Sequence, residues 1–251
     1  MPDDAHRLPG HLPGAVSRLI SPADGAEAAA TCGDILNRMP RRSSKGESGA
    51  DPSVTLRSQH AEATRRAVLT AARSLFGAKG YAQTSVDEIA EAARVTKGAV
   101  YHHFAGKEAL FRAVYDEAEA DAYGRAVVAG DPEDPPIDQL VAKVNAYLDA
   151  VLDQEIRRIT LIDGPAVLGH EPDPSAEQQA NAEAVRLFIA TAIEHGQLAD
   201  LNPGVLTDLI GGLAWLGALL ITRASDPGVT RAELGKALEV MLRGLAPGNE
   251  R

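Results

Sequence analysis

The sequence is short of the residues on which several classes of protein depend. Its single cysteine, Cys32, excludes an intrachain disulfide and any metal site built from several thiolates. The longest run without a polar or charged side chain, 209–221, has 13 residues, whereas a helix that spans a bilayer needs about 20. We therefore predict a buried helix there and no membrane partner. No basic segment followed by an apolar stretch opens the chain, so we expect no secretory signal and a cytoplasmic location.

Aromatic residues are also scarce, and their distribution separates the first part of the chain from the rest. They make up 4% of the sequence, and none precedes Phe76. The first 55 residues contain 18 proline, glycine or serine residues and too few large apolar groups to offset the entropy of ordering. We predict that residues 1–55 form a disordered extension, with room for a short helix around 25–39. Met39 offers an alternative start, which leaves open whether residues 1–38 belong to the native protein.

Charge is distributed unevenly along the chain, which carries 35 acidic and 25 basic side chains and a net charge of −10. Residues 54–115 contain nine basic and five acidic groups, whereas residues 116–251 contain ten basic and 23 acidic groups. A basic module therefore precedes a strongly acidic one. This asymmetry is typical of an anion-binding module joined to a part that repels polyanions, although many enzymes carry a basic patch of similar size.

Apolar residues recur at helical spacing from Ser58 almost to the end of the chain. In the basic module, Val68, Ala72 and Phe76 lie on one face of a helix that ends near Gly80. In the acidic module, the same spacing predicts four further helices, around 137–152, 185–193, 203–223 and 234–245. No alternating strand pattern, sequence repeat or hairpin turn competes with this reading. The predicted fold class is all-α.

Residues 85–104 have the anatomy of a helix-turn-helix. Ser85 and Glu88 form a capping-box pattern, Arg94 and Val95 occupy a tight turn, and Thr96 is the expected N-cap of a second helix that ends near residue 103. A helix that enters the DNA major groove needs small residues and hydrogen-bond donors in its leading turn. This segment has both, but a short surface helix in another kind of bundle remains an alternative at this point.

Residues 64–117 resemble the TetR-type transcriptional regulators. The most specific part is VTKGAVYHHF at 95–104, followed by KEAL at 107–110. The resemblance implies an N-terminal three-helix helix-turn-helix domain at 56–107 and a C-terminal helical domain at 108–251 that binds a small molecule and dimerises. It also implies a repressor that binds a palindromic operator in double-stranded DNA as a homodimer and is released by an effector of unknown identity.

Carried over position by position, the resemblance assigns the DNA contacts to ten residues: Thr84, Ser85, Thr96, Lys97, Gly98, Ala99, Tyr101, His102, His103 and Lys107. One position departs from the family pattern, because Arg94 stands where the family usually has glycine. A turn of the usual shape then needs a positive φ at a non-glycine residue. Arg94 either is simply tolerated there or adds a phosphate contact.

Residues 158–169 resemble a segment found in the C-terminal domain of a subset of these regulators. Asp163, Gly164 and Pro165 are predicted to break a helix, and such a break makes room for a cavity between helices. We expect five residues to line an effector pocket, with the alternative that most of them are core residues: Tyr147, Val151, Asp163, Phe188 and Trp215.

The helix predicted from Pro203 onward is apolar over 13 residues and rich in small side chains, so other helices can approach it closely. With the last helix it would supply a four-helix dimer interface, two helices from each subunit. The alternative is the buried central helix of a monomer. The predicted interface residues are Leu209, Gly212, Leu213, Leu216, Gly217, Leu220, Leu234, Leu238 and Met241.

Two other functions compete with a ligand-responsive regulator. An enzyme would need Asp163 or His170 as a catalytic residue, but no nucleophile–base pair, phosphate loop or metal-ligand spacing accompanies them. His102 and His103 point to different faces of a helix, so we predict no metal site and no cofactor. A DNA-binding scaffold protein without effector response would have a similar sequence, and the ratio of specific to non-specific affinity would distinguish it.

Overall fold

The computed structural model describes residues 52–169 and 176–246, and every regular element within these ranges is helical. The predicted all-α fold is confirmed. The predicted disordered extension, 1–55, lies outside the described residues up to position 51, as does the short helix around 25–39. For residues 52–55 the prediction is wrong, because they form the start of the first helix. The elements, in chain order, are α1 (Pro52–Lys79), α2 (Val86–Ala92), α3 (Lys97–His103), α4 (Lys107–Val127), α5 (Pro136–Ala150), α6 (Gln154–Arg157), a π-helix (Arg158–Asp163), α7 (Gly164–Leu168), α8 (Ala176–Glu194), α9 (Pro203–Arg223) and α10 (Pro227–Arg243).

The first three helices and the first half of α4 enclose a small apolar core. Phe76 of α1, Ile89 of α2 and Phe111 of α4 are fully buried within it. The rings of Phe76 and Phe111 meet edge to face, with centroids 5.2 Å apart. Burying a side chain of this size contributes about 1.5–3 kcal/mol. Gly80 ends α1 with φ 86°, a left-handed conformation that glycine adopts without strain, and so turns the chain toward α2.

A larger core lies between the second half of α4 and helices α5, α8, α9 and α10. Leu148 of α5, Ile189 of α8 and Ile221 of α9 are fully buried there. Ion pairs at the edge of this core tie α10 to α5, since Arg231 Nε lies 2.8 Å from Asp149 Oδ1. The two cores correspond to the basic and the acidic modules of the sequence.

Helix α9 begins as the sequence predicts. The Asn202 side chain accepts a hydrogen bond from the Val205 N–H at 3.1 Å, and Pro203 occupies the first turn, where its missing N–H is not needed. By length and composition alone α9 would be able to cross a membrane, which is weak evidence because the core helix of a soluble protein meets the same criteria. Its Ile210 and Ile221 are buried in the core described above.

The helix break predicted at Asp163 is wrong. Arg158–Asp163 forms a π-helix between α6 and α7, and Gly164 keeps a right-handed helical backbone (φ −51°, ψ −58°). Pro165 lies in the first turn of α7, so it does not interrupt the chain. A Cβ at position 164 would lie 2.7 Å from a ring carbon of Tyr115, so glycine allows this turn to pack directly against α4.

Candidate nucleic-acid interface and ligand cavity

Capping interactions set the geometry of the helix-turn-helix, as predicted. The Ser85 hydroxyl accepts a hydrogen bond from the Glu88 N–H at 3.2 Å, and Glu88 Oε2 accepts one from the Ser85 N–H at 2.9 Å. The Thr96 hydroxyl accepts from the Ala99 N–H at 3.1 Å and so begins α3. Val100 is buried and anchors α3 to the core. The opposite face of α3 is left in solvent.

The outward surface of the helix-turn-helix combines hydrogen-bond donors with little steric bulk. A Cβ added at Gly98 would meet only the Thr96 hydroxyl, at 3.8 Å, so another molecule can approach the leading turn of α3. Six of the ten predicted contact residues are exposed and three are half-buried; the six are Ser85, Thr96, Lys97, Gly98, Tyr101 and His102, and the three are Ala99, His103 and Lys107. Their role in binding DNA stays a prediction.

The ammonium group of Lys97 is engaged by a carboxylate on the neighbouring helix. Its Nζ lies 2.9 Å from Asp87 Oδ2, and both side chains are more than half exposed. Such an exposed pair contributes little to stability. The place of this ion pair is more important, because Asp87 engages the ammonium group that we expect to contact DNA.

Two of the predicted DNA contacts have other partners. Thr84 is 1% exposed, and its hydroxyl donates to the Gly80 carbonyl at 2.9 Å, so it holds the turn after α1 and cannot reach DNA. That prediction is wrong, because the sequence pattern does not reveal which way a turn residue points. Lys107 is half-buried at the start of α4, and its Nζ lies 4.0 Å from the centroid of the Tyr81 ring.

Arg94 adopts the left-handed conformation that its place in the turn suggests. Its φ of 57° is the one positive φ of a non-glycine residue among the described residues. Such a conformation costs a residue with a Cβ about 1–2 kcal/mol relative to glycine. The Arg94 side chain is exposed beside the helix-turn-helix.

A cavity of about 440 Å³ lies in the C-terminal domain between α4, α5, α8 and α9. This volume falls in the range of small-molecule sites. Its walls are mostly apolar: Tyr123, Ala126, Val127, Leu140, Lys143, Val144, Tyr147, Gln178, Asn181, Ala182, Val185, Thr207, Asp208, Ile210, Gly211, Gly212 and Ala214.

Of the five predicted pocket residues, the structure places only Tyr147 in this cavity. Val151 and Phe188 are buried core residues, and Trp215 is 46% exposed on the outside of α9. Asp163 instead accepts a hydrogen bond from the Tyr81 N–H at 2.8 Å. These four assignments are wrong because helical spacing identifies an apolar face but not which neighbour that face meets.

Among the described residues, the cavity wall contains one ammonium group, and main-chain carbonyls already hold it. Lys143 Nζ donates to the carbonyl oxygens of Val127 at 2.7 Å and Ala129 at 3.1 Å. A cation at this place complements the negative end of the α4 dipole. The side chain of Lys143 therefore fixes the end of α4 as well as lining the cavity.

A buried carboxyl group lies on α4 one turn before the cavity. Glu119 is 8% exposed, and burial, followed by the negative charge of Asp116, raises its pKa from 4.5 to about 7. No described residue donates a hydrogen bond to it. Burial, and then the charge of Glu119, also raises the pKa of the Tyr147 hydroxyl. The burial of Glu119 could not be predicted from the sequence, because charged residues are common in amphipathic helices.

The two domains meet where the π-helix packs against the end of α1. Arg158 Nη1 donates to the Ala78 carbonyl at 2.8 Å, and Asp163 accepts from the Tyr81 N–H. Arg73 of α1 also pairs with Glu155 of α6, at 2.7 Å. Side chains of the C-terminal domain thus satisfy backbone groups at the end of α1 and in the turn that follows it.

The predicted dimer surface is only partly exposed. Leu209, Gly212, Leu216, Leu220 and Met241 lie on the surface of α9 and α10, as predicted. Gly217 and Leu238 are buried, Leu213 and Leu234 are partly buried against the core, and a Cβ at Gly217 would lie 3.1 Å from Leu148. For Gly217 and Leu238 the prediction is wrong, since these residues pack within the subunit.

Within residues 52–169 and 176–246, no group of three His, Cys, Asp or Glu residues is placed to hold a metal ion. His170, the alternative catalytic residue, lies outside the described residues.

Comparison with known proteins identifies both domains. Residues 68–114 match the family model of bacterial regulatory proteins of the tetR family, and residues 137–245 match the tetracyclin repressor-like C-terminal domain. No enzyme family is indicated.

Individual proteins agree with the family models. The HTH-type transcriptional regulator TtgR of Pseudomonas putida is 30% identical over 148 residues, which cover 56% of this chain and 70% of TtgR. The A-factor receptor protein of Streptomyces griseus is 38% identical over 186 residues, 73% of this chain and 63% of that protein. A crystal structure of a TetR-family regulator from Pectobacterium atrosepticum aligns with a TM-score of 0.63 and 33% identity, over 76% of this chain and 97% of that chain. The chain therefore belongs to the TetR family of transcriptional regulators, proteins that bind DNA and respond to ligands.

Proposed function

We propose that this regulator is a cytoplasmic repressor without a membrane partner, which binds a palindromic operator as a homodimer and leaves it when a small molecule fills the cavity. The observation that carries this proposal is the path of α4. Leu110 and Phe111, near its start, belong to the same core as Val100 of α3, the expected recognition helix, whereas Ala126 and Val127, near its end, line the cavity. A single helix therefore contacts both sites.

A ligand shifts a conformational equilibrium only by its difference in affinity for the two states. A molecule that separates α4 from α5 or α9 favours another position of α4 over the present one. Because α3 and α4 contribute to the same small apolar core, that shift changes the distance between the two recognition helices of a dimer. Release from the operator follows from this loss of spacing.

The exposed apolar surface of α9 and α10 supports the homodimer. Leu209 is 59% exposed, Leu216 49%, Leu220 44% and Met241 54%. Four large apolar side chains on two adjacent helices form a patch of the kind that marks a protein interface. A dimer also doubles the DNA contacts of a recognition helix of only seven residues.

The proposal is tested by selecting binding sites from a random DNA pool with the full chain. We expect an inverted repeat with half-sites about 34–36 Å apart or a multiple of that spacing, and affinity that falls steeply with salt. Compounds that raise the melting temperature are then added to the complex. Selection of asymmetric sites contradicts the homodimer, and a compound that occupies the cavity without changing operator affinity contradicts ligand release.

Deleting the gene should raise transcription from the promoter next to the selected site, whereas a fall would identify an activator.

A further inference from the structure

The π-helix brings two charged side chains to one place on the DNA-binding domain. Arg158 and Asp163 are five residues apart, and the Gly164 N–H donates to the Ile159 carbonyl, also five residues earlier. Such hydrogen bonds place residues five apart on one face, whereas in an α-helix of 3.6 residues per turn they are about 140° apart. Both side chains reach Gly80, where a Cβ would lie 3.1 Å from Asp163 Oδ2 and 3.6 Å from Arg158 Nε. The π-helical geometry therefore allows one short segment to make both contacts.

Asp163 holds the peptide unit between Gly80 and Tyr81. The N–H of this unit donates to Asp163 Oδ2 at 2.8 Å, and its carbonyl accepts from the Thr84 hydroxyl at 2.9 Å. The next residue, Ser85, is the N-cap of α2 and is exposed on the predicted DNA surface. The orientation of this peptide unit thus determines where α2 begins.

Tyr81 also contacts a second predicted DNA contact, at the start of α4. Its ring lies 4.0 Å from Lys107 Nζ, measured to the ring centroid, and packs against the ring of Phe111 with centroids 5.0 Å apart. On the other side of Gly80, the Ala78 carbonyl of α1 accepts from Arg158. The two side chains of the π-helix therefore fix the backbone on both sides of the turn.

The position of the π-helix depends in turn on both cores. Ile159 is fully buried in the small core of the helix-turn-helix, whereas Leu161 is buried in the larger core of the C-terminal domain. That larger core also contains Tyr147, which lines the cavity. Packing in the C-terminal domain thus determines where Arg158 and Asp163 lie.

We propose that Arg158 and Asp163 are positioning residues for operator binding, which hold the turn 80–85 so that Ser85 and Lys107 contact DNA together with α3. They form a connection between the domains that is separate from α4. The inference rests on the operator binding proposed above, but neither on the homodimer nor on ligand release. A displaced turn lowers affinity for the operator more than for other DNA, because non-specific attraction depends on charge and not on exact placement.

The test measures the affinity of full-chain variants for two DNA duplexes of equal length by fluorescence anisotropy. One duplex carries the sequence that the parent enriches from the random pool, and the other is random in sequence. Asp163→Ala should weaken binding to the enriched sequence at least about fivefold and leave binding to random DNA unchanged. Asp163→Asn keeps an oxygen that accepts from the Tyr81 N–H, so it should restore most of the lost affinity.

Asp153→Ala is the matched control. The Asp153 carboxylate accepts from the Glu155 N–H at 2.9 Å, so this variant removes a similar hydrogen bond within the C-terminal domain, ten residues earlier. It should leave both affinities unchanged. Circular dichroism checks that each variant is folded, and if Asp163→Ala is not, Arg158→Met replaces it with the same expected result, since it removes the donor to the Ala78 carbonyl.

Three outcomes overturn the inference: unchanged affinity of Asp163→Ala for the enriched sequence, an equal loss on both duplexes, or an equal loss in Asp153→Ala. The comparison uses whichever sequence the parent enriches, symmetric or not. An asymmetric site therefore contradicts the homodimer and leaves this inference standing, whereas an inverted repeat that Asp163→Ala binds as tightly as the parent overturns this inference alone. A parent that enriches no sequence contradicts both.

Discussion

Glu119→Gln should stabilise the protein at high pH and have little effect at low pH. The carboxyl has a pKa of about 7 in the folded state and an ordinary value near 4.5 when the chain is unfolded. Below pH 4.5 the carboxyl is protonated in both states, so it does not lower the free energy of unfolding. As the pH rises from 4.5 to 7, the unfolded state loses the proton first, so stability falls. Above pH 7 the full cost remains.

The size of this cost follows from the difference between the two pKa values. Each tenfold change in proton affinity corresponds to about 1.4 kcal/mol, so a pKa raised from 4.5 to about 7 costs about 3 kcal/mol above pH 7. That is a large part of the 5–15 kcal/mol that stabilises a typical domain. Glutamine has nearly the same shape and cannot ionise, so it avoids this cost.

Urea unfolding followed by circular dichroism, at one protein concentration, measures the effect at pH 4.5 and pH 8.5. The free energy of unfolding of the variant should exceed that of the parent by about 3 kcal/mol more at pH 8.5 than at pH 4.5. Glu117→Gln, on the exposed side of the same helix, should show no such pH dependence. An equal difference at both pH values would refute the assignment of a raised pKa to Glu119.

Three further predictions concern the DNA-binding surface and the dimer. Lys97→Ala should weaken operator binding and lower the slope of log affinity against log salt concentration by roughly 1. Asp87→Asn should tighten operator binding, because it frees the ammonium group of Lys97 from its ion pair. Gel-shift titrations in which both variants change affinity in the same direction contradict this role of the ion pair. Arg94→Gly should raise the free energy of unfolding in urea by about 0.5–1 kcal/mol, because glycine relieves the positive φ, and an unchanged or lower value counts against strain at this turn. Leu216→Glu should give monomers in sedimentation velocity at micromolar concentration. Val128→Glu changes a more exposed apolar residue that lies outside α9 and α10, so it should stay dimeric. A dimeric Leu216→Glu rejects the proposed interface.

Features that depend on neighbouring residues in the sequence could be predicted in detail. The cap at Thr96, the capping box of Ser85 and Glu88 and the start of α9 at Asn202 all require only a side chain and a backbone group three residues away. The positive φ of Arg94 was expected from the family resemblance, because glycine usually occupies this position of the turn.

Features that depend on how helices rotate against one another could not be predicted. Helical spacing identified the apolar faces of Val151, Phe188 and Gly217 but not the elements that cover them. Trp215 shows the opposite error, since this aromatic residue was expected in the pocket but is exposed on the outside of α9. The cavity is formed by residues from four helices between positions 123 and 214, so its walls follow from packing and not from any one segment.

The contacts of the π-helix limit how freely the two domains can be exchanged between regulators. A chimera joined at the start of α4 keeps the whole helix-turn-helix, yet it removes the arginine that binds the Ala78 carbonyl and the carboxylate that binds the Tyr81 N–H. Both backbone groups then need new partners from the grafted domain. The unit that can be exchanged is therefore the DNA-binding domain together with Arg158 and Asp163, which bind its backbone groups. These two residues follow α4 in the sequence, so a single cut in the chain cannot separate the unit from the rest of the C-terminal domain.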